Sequence, residues 1–465
     1  MVACLNHNNA CLIGNFVMFK RLSIASIVAL TTFNSSAIAD SLLQVYQTAK
    51  IKDPIILKSK AQYDFYYEKI NEADAALLPQ VGFGLNAGYT QTSEDDNGND
   101  STNSNYGANL SLTQSLYNGA YWQQVDLAEK QATQYATIYG YAAQDLLFRA
   151  SKAYFDVLRA DEAVKSVKAN KRAVERQLEQ TKQRFDVGLI AITDVHEAQA
   201  EYDRTNADLI SAENSLANSY YVLRELTGED VLNISYLNTD TFDPQEIDGD
   251  VKFWRNKALE HNLQLHGKRI SKELAKMQID LAETGHSPTL DFTAGIGYNN
   301  SDYDIDARDT DMSNGTIGIQ LNVPIYTGGA ITSRVKQAQY GYVMASEDLV
   351  QTFRSTEAQI NSGYNNVRAS LSSITAYEQT VTSSNSALEA TEAGFEVGTR
   401  TIVDVLDATR SLYASENQLA NARYDYIINM LQLKYSAGTL SEQDIMDVSS
   451  GLIEQDPKAD PVEKK

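Results

Sequence analysis

The chain has 465 residues, with 61 Asp or Glu against 39 Lys or Arg and a net charge of −22. That excess of acid argues against nucleic-acid binding and suits a protein that handles cations or meets basic partners. Both cysteines, Cys4 and Cys11, fall within the first 17 residues, so no disulfide framework or thiolate metal site is expected in the remainder.

Residues 18–39 read as a secretory signal peptide. Met18-Phe19-Lys20-Arg21 supplies the positive start, Leu22 to Phe33 the apolar centre, and Ala37-Ile38-Ala39 a cleavage site before Asp40. Met18 already begins a normal signal, so residues 1–17 read as a mis-assigned start or an unusual extension. Lys20 and Arg21 would leave with it and no acid would, so the 426 remaining residues would carry 37 bases, 61 acids and a charge of −24. No later stretch approaches the roughly 18 apolar residues of a spanning helix.

After a helical start, four segments alternate with period two. Phe83, Leu85, Ala87 and Tyr89 are interleaved with Gly84, Asn86 and Gly88, and Tyr106, Ala108, Leu110 and Leu112 with Gly107, Asn109, Ser111 and Thr113. Leu290 to Tyr298 and Ile317 to Ile325 repeat the pattern. Each has an apolar and a small polar face and the length of a tilted transmembrane strand. They predict hairpins over 80–117 and 289–326, with acidic loops from Glu94 to Asp100 and from Asp302 to Asp311. Asp302-x-Asp304-x-Asp306 imitates the start of a calcium loop but lacks its sixth-position glycine and closing glutamate, so a solvated loop is the expectation.

The seven prolines leave 120–243 and 330–456 uninterrupted. Those regions favour helix, and one over 120–187 would run roughly 100 Å. Leu412, Leu419, Tyr426 and Leu433 recur every seven residues, shadowed by Ser415, Ala422, Asn429 and Ser436; Leu209, Leu216 and Leu223 do likewise. One large and one small residue per heptad predicts tightly packed, supercoiled helices.

The chain also repeats itself about 210 residues apart. Phe185-Asp186-Val187-Gly188, followed by Asp194-Val195, returns as Phe395-Glu396-Val397-Gly398, followed by Asp404-Val405, and the match continues to Gly228 and Gly438. Pro79 and Pro288 align as well, so the protein is a tandem duplication. The expected divisions are 40–228 and 251–438 for the repeats, 229–250 for a linker and 439–465 for a final segment with a polar tail. Four strands cannot close a barrel, and an open edge cannot face lipid. Further copies of the chain must complete the wall, giving a barrel continued by a helical tube.

Ala49 to Pro54, Lys69 to Pro79, Arg184 to Val195, Gly398 to Thr409 and Gln418 to Tyr424 closely resemble the TolC-type outer-membrane efflux channels, over roughly 40–450. The resemblance implies a mainly α fold with transmembrane β: a homotrimer whose four strands per chain complete a twelve-stranded barrel in the outer membrane. Long coiled-coil helices would form a periplasmic tunnel below it. It also implies docking to a periplasmic adaptor and an inner-membrane efflux pump or ABC exporter, with export of drugs, bile salts or protein toxins. The competing reading is a secreted or surface helical structural or adhesive protein, which the lipid-like hairpins disfavour.

Asp404 and Asp407 share a helical face, and Thr401-x-x-Asp404 reads equally as a capping box. Arg410 is a possible partner for Asp407. The resemblance makes these two acids stacked carboxylate rings at the periplasmic entrance, which would select cations. It places Arg400, Thr193 and Asp194 in the latch of the closed entrance, with Phe395 standing where a tyrosine is usual. It also makes Val187-Gly188-Leu189 and Val397-Gly398-Thr399 the adaptor-docking tips, although glycine in a helix-to-helix turn needs no further role. Tyr117, Tyr121 and Trp122 suit an aromatic girdle or plain packing where strand meets helix. No nucleophile elbow, phosphate loop or dinucleotide fingerprint is present, and no enzyme activity or cofactor is expected.

Overall fold

The computed structural model describes residues 41–92, 101–231, 234–303 and 310–453. The expected signal peptide, most of both acidic loops with Asp304 and Asp306, and the polar tail lie outside them.

The first repeat opens with α1 (Leu42–Lys52) and α2 (Pro54–Ala75), then β1 (Gln80–Thr92), β2 (Ser101–Asn118), α3 (Gly119–Asp186) and α4 (Ile192–Thr227). After a short β3 (Tyr236–Leu237) the second repeats the order: α5 (Val251–His261), α6 (Leu263–Glu283), β4 (Thr289–Tyr303), β5 (Thr310–Asn322), α7 (Ala330–Glu396) and α8 (Ile402–Ser436). Helix α9 (Glu442–Ser450) and β6 (Leu452–Ile453) follow, and β6 pairs with β3. At 68 and 67 residues, α3 and α7 each extend roughly 100 Å.

Short polar residues set the helix starts. Asp53 caps α2 ahead of Pro54, Asn118 caps α3, Asn262 caps α6, and Ser41 closes a capping box on α1. Helices α3 and α4 pack along each other, as do α7 and α8, with α3 also against α8. The heptad rows of α8 face inward: Leu412, Tyr426 and Leu433 are buried, and so are Ser415, Ala422 and Ser436. The main core gathers α1, α5, α9 and the middles of α3 and α7 around Leu146, Tyr154, Phe155, Leu158, Ile360 and Leu433.

The four long strands form one antiparallel sheet in the order β1-β2-β4-β5, leaving β1 and β5 with an open edge each. Register pairs Leu85 with Ala108, Ala108 with Tyr298, and Leu110 with Ile296. On one face Phe83, Leu85, Ile296, Ile317 and Ile319 stand exposed, up to 80% for Ile317. On the other, asparagines alternate with glycines across the strands. Asn109 lies over Gly84, Asn86 and Asn299 over Gly107, and Asn314 over Gly297, each where a Cβ would collide. Strand β5 stops at Asn322, short of the predicted Ile325, because Pro324 has no N–H for the ladder. No helix among the described residues is long and apolar enough to cross a membrane.

Candidate functional site

The two halves end in matching turns. After α3, Gly188 N–H donates to Phe185 O at 2.8 Å and Leu189 N–H to Arg184 O at 2.9 Å. After α7, Gly398 N–H donates to Phe395 O at 3.1 Å and Thr399 N–H to Gly394 O at 2.8 Å. Each is a Schellman closure, and it needs a left-handed residue at its centre. Gly188 and Gly398 supply that residue at φ +76° and +77°. The closure turns apolar side chains outward: Val187, Leu189 and Val397 are each at least 70% exposed.

Behind the turns lies a small core of Val174, Leu178, Ala198, Phe395, Ile402, Val405 and Leu406, drawn from α3, α4, α7 and α8. Phe395 is buried there with the Arg184 guanidinium 4.5 Å from its ring centroid. Its place is that of a packing residue under a cation, without a hydroxyl to offer a latch.

Asp404 sits in the capping box of α8. Its Oδ2 accepts from Thr401 N–H at 2.9 Å and Thr401 Oγ1 at 3.0 Å, while its own N–H donates to Thr401 Oγ1 at 3.2 Å. Those hydrogen bonds, with the nearby Arg400 charge, hold its carboxyl below the usual range. The duplicated position is different: Ala191 stands where Thr401 does, and α4 has no side-chain cap. Among the described residues, Asp194 makes no side-chain hydrogen bond or ion pair within the chain. Nor does Arg400, so the two are not joined inside one copy. Thr193 is exposed one residue before Asp194.

Asp407 is exposed and accepts from Arg410 Nη1 at 2.8 Å. Arg410 has a second partner that its place along α8 does not reveal. Its Nε and Nη2 grip both oxygens of Glu201 on α4, at 3.0 and 2.7 Å. At the other end of α3, Tyr117 and Trp122 meet edge to face, ring centroids 5.4 Å apart, and Tyr121 takes no part in that contact.

The sequence model of the outer membrane efflux protein family matches residues 45–229 and 254–439. The outer membrane protein TolC of Vibrio cholerae is 47% identical over 94% of this chain and 99% of its own length. The proteases secretion protein PrtF of Dickeya chrysanthemi is 27% identical over 93% of this chain and 95% of its own. Among solved structures, the Campylobacter jejuni CmeC outer membrane channel superposes with a TM-score of 0.74 at 16% identity, over 89% of this chain and 90% of that one.

Proposed function

The chain belongs to the outer membrane efflux protein family and is an outer-membrane efflux channel; from that premise we propose that its trimer is the exit duct of an export machine completed by a periplasmic adaptor and an inner-membrane pump or ABC exporter. The observation that carries this reading is the four-stranded sheet with two open edges, apolar on one face and lined with asparagine and glycine on the other. Three copies set edge to edge bury every edge and turn the apolar face to lipid. In this proposal residues 1–39 are removed on export, 40–228 and 251–438 are the two repeats, and 229–250 and 439–465 belong to the equatorial belt.

The exposed Val187, Leu189 and Val397, with Gly188, Gly398 and Thr399, make the adaptor's docking tips. Apolar side chains held in water by rigid turns favour a protein partner. Asp404 and Asp407 line the entrance as acid rings. Arg400 and Asp194, neither with a side-chain hydrogen bond or ion pair in its own copy among the described residues, latch one copy to the next with Thr193 alongside. Tyr117, Tyr121 and Trp122 form the aromatic girdle. Drugs, bile salts and detergents are the expected cargo, with protein export added by the likeness to a protease secretion protein.

Planar-bilayer recording of the purified trimer tests the entrance. Asp404→Asn with Asp407→Asn is expected to cut cation selectivity, and Arg400→Ala to raise conductance. Unchanged reversal potentials reject the acid rings, and unchanged conductance rejects the latch. Deleting the gene is expected to sensitise cells to detergents and dyes.

A further inference from the structure

Glu201 is the most deeply buried acid near the tips, its side chain 8% exposed. Two cations reach it. Arg204, three residues on along α4, stands 3.6 Å away, and Arg410 of α8 binds it through two hydrogen bonds. Arg410 spends a third donor on Asp407, one turn back along its own helix. A single guanidinium thus joins a buried carboxylate on one helical hairpin to an exposed carboxylate on the other. The fork geometry of arginine permits this double grip and lysine's single ammonium does not.

Two consequences follow. Sliding or rotating α8 against α4 strips Glu201 of its bidentate partner and leaves a buried charge under-compensated, which opposes the movement strongly. The guanidinium also offsets the charge of Asp407 while leaving that of Asp404 alone. We propose that Arg410 is a positioning residue of the entrance: it clamps α8 to α4 through Glu201 to hold the closed form, and it weakens the Asp407 ring so that cation selectivity rests mainly on Asp404. The inference rests on the reading of Asp404 and Asp407 as entrance acids. With Phe395 buried and lacking a hydroxyl, the clamp is a polar link between the two hairpins that sits behind the turns themselves.

Bilayer recording of wild-type and variant trimers under a KCl gradient separates the two roles. Glu201→Gln releases the clamp but leaves Arg410 beside Asp407; it is expected to raise conductance several-fold with cation preference unchanged or reduced. Arg410→Gln is expected to raise conductance and also increase cation preference. Arg410→Lys, which cannot hold both oxygens of Glu201, is expected to fall between wild type and Arg410→Gln in conductance. Should Arg410→Gln fail to assemble, Glu201→Gln with Arg410→Gln leaves no buried charge unpaired, and its conductance decides: raised supports the clamp, unchanged overturns it. Wild-type conductance in every trimeric variant overturns the clamp. Equal shifts of reversal potential in the two single variants overturn the electrostatic role. A wild-type trimer that passes no current rejects the channel reading itself, a different failure from either.

Discussion

Asp53 shows how one residue can hold three elements. It is buried at the junction of α1 and α2, where its Oδ1 accepts from the N–H groups of Ile55 and Ile56 at 2.9 Å. Arg149 of α3 grips both of its oxygens, at 3.0 and 3.2 Å, and also holds Asp145. Burial alone would push this carboxyl up, but the guanidinium and the two amides overcome it and leave the group below its ordinary range. Asp53→Ala is expected to destabilise the protein by about 3 kcal/mol, since it removes a cap and one of the two carboxylates that hold the half-buried Arg149. Because the native carboxyl binds its proton less readily than the unfolded one, its contribution is complete above an ordinary value of about 3.9 and is lost as pH falls through the lower native value. Asp53→Asn should therefore flatten the acid limb of a stability–pH curve measured by denaturant unfolding. The duplicated position is Asn262, whose Oδ1 caps α6 and whose Nδ2 donates to Ser436 O at 2.8 Å. One repeat solves this junction with charge and the other with amides.

The ends of α4 and α8 make the same contrast among elements. Gly228 and Gly438 both close their helices in the left-handed region, at φ +69° and +73°. A Cβ on Gly228 would meet only the flexible side chain of Lys52 at 3.6 Å. On Gly438 it would run into the carbonyl of His261 and come within 2.7 Å of Asn262 Cα. Gly228→Ala is accordingly expected to cost about 1 kcal/mol from backbone strain. Gly438→Ala should cost several times as much, since the α5–α6 junction must also move. Thermal unfolding of the two variants side by side checks the difference. The sequence showed these glycines as a matched pair, and it showed the long helices, their heptad rows and the strand faces, because each is a periodic or local pattern. The link of Arg410 to Asp407 was legible from their spacing, but the pairing of Arg410 with Glu201 was not. Both look like ordinary surface charges on their own helices, and only the packing of α4 on α8 makes them partners. The Thr401-x-x-Asp404 cap was readable, whereas the position of Asp194, uncapped behind Ala191 and without a side-chain hydrogen bond or ion pair among the described residues, depends on how the chain packs.

For the whole molecule the decisive quantity is which face of the sheet meets what. Leu85 and Asn86 are neighbours at the middle of β1, pointing to opposite sides. Leu85 is 75% exposed on the apolar face, while Asn86 lies over Gly107 on the other. In a closed trimer Leu85 lies in hydrocarbon near the midplane and Asn86 faces the water of the lumen. An arginine at a lipid-facing midplane position costs roughly 2–4 kcal/mol, and one facing the lumen mainly alters conduction. Leu85→Arg is thus expected to reduce assembly of the trimer in lipid vesicles, with little change in the single-channel current of the trimers that form. Asn86→Arg is expected to assemble normally and to shift the current toward anions. An ordinary half-buried sheet on a water-soluble protein would also be damaged by Leu85→Arg on its apolar face and would accept Asn86→Arg on its polar one, so the current separates the readings: only an Asn86→Arg that faces a lumen shifts it toward anions. The two variants therefore test the orientation of the wall, and with it the argument that one chain holds too little sheet to close a pore alone.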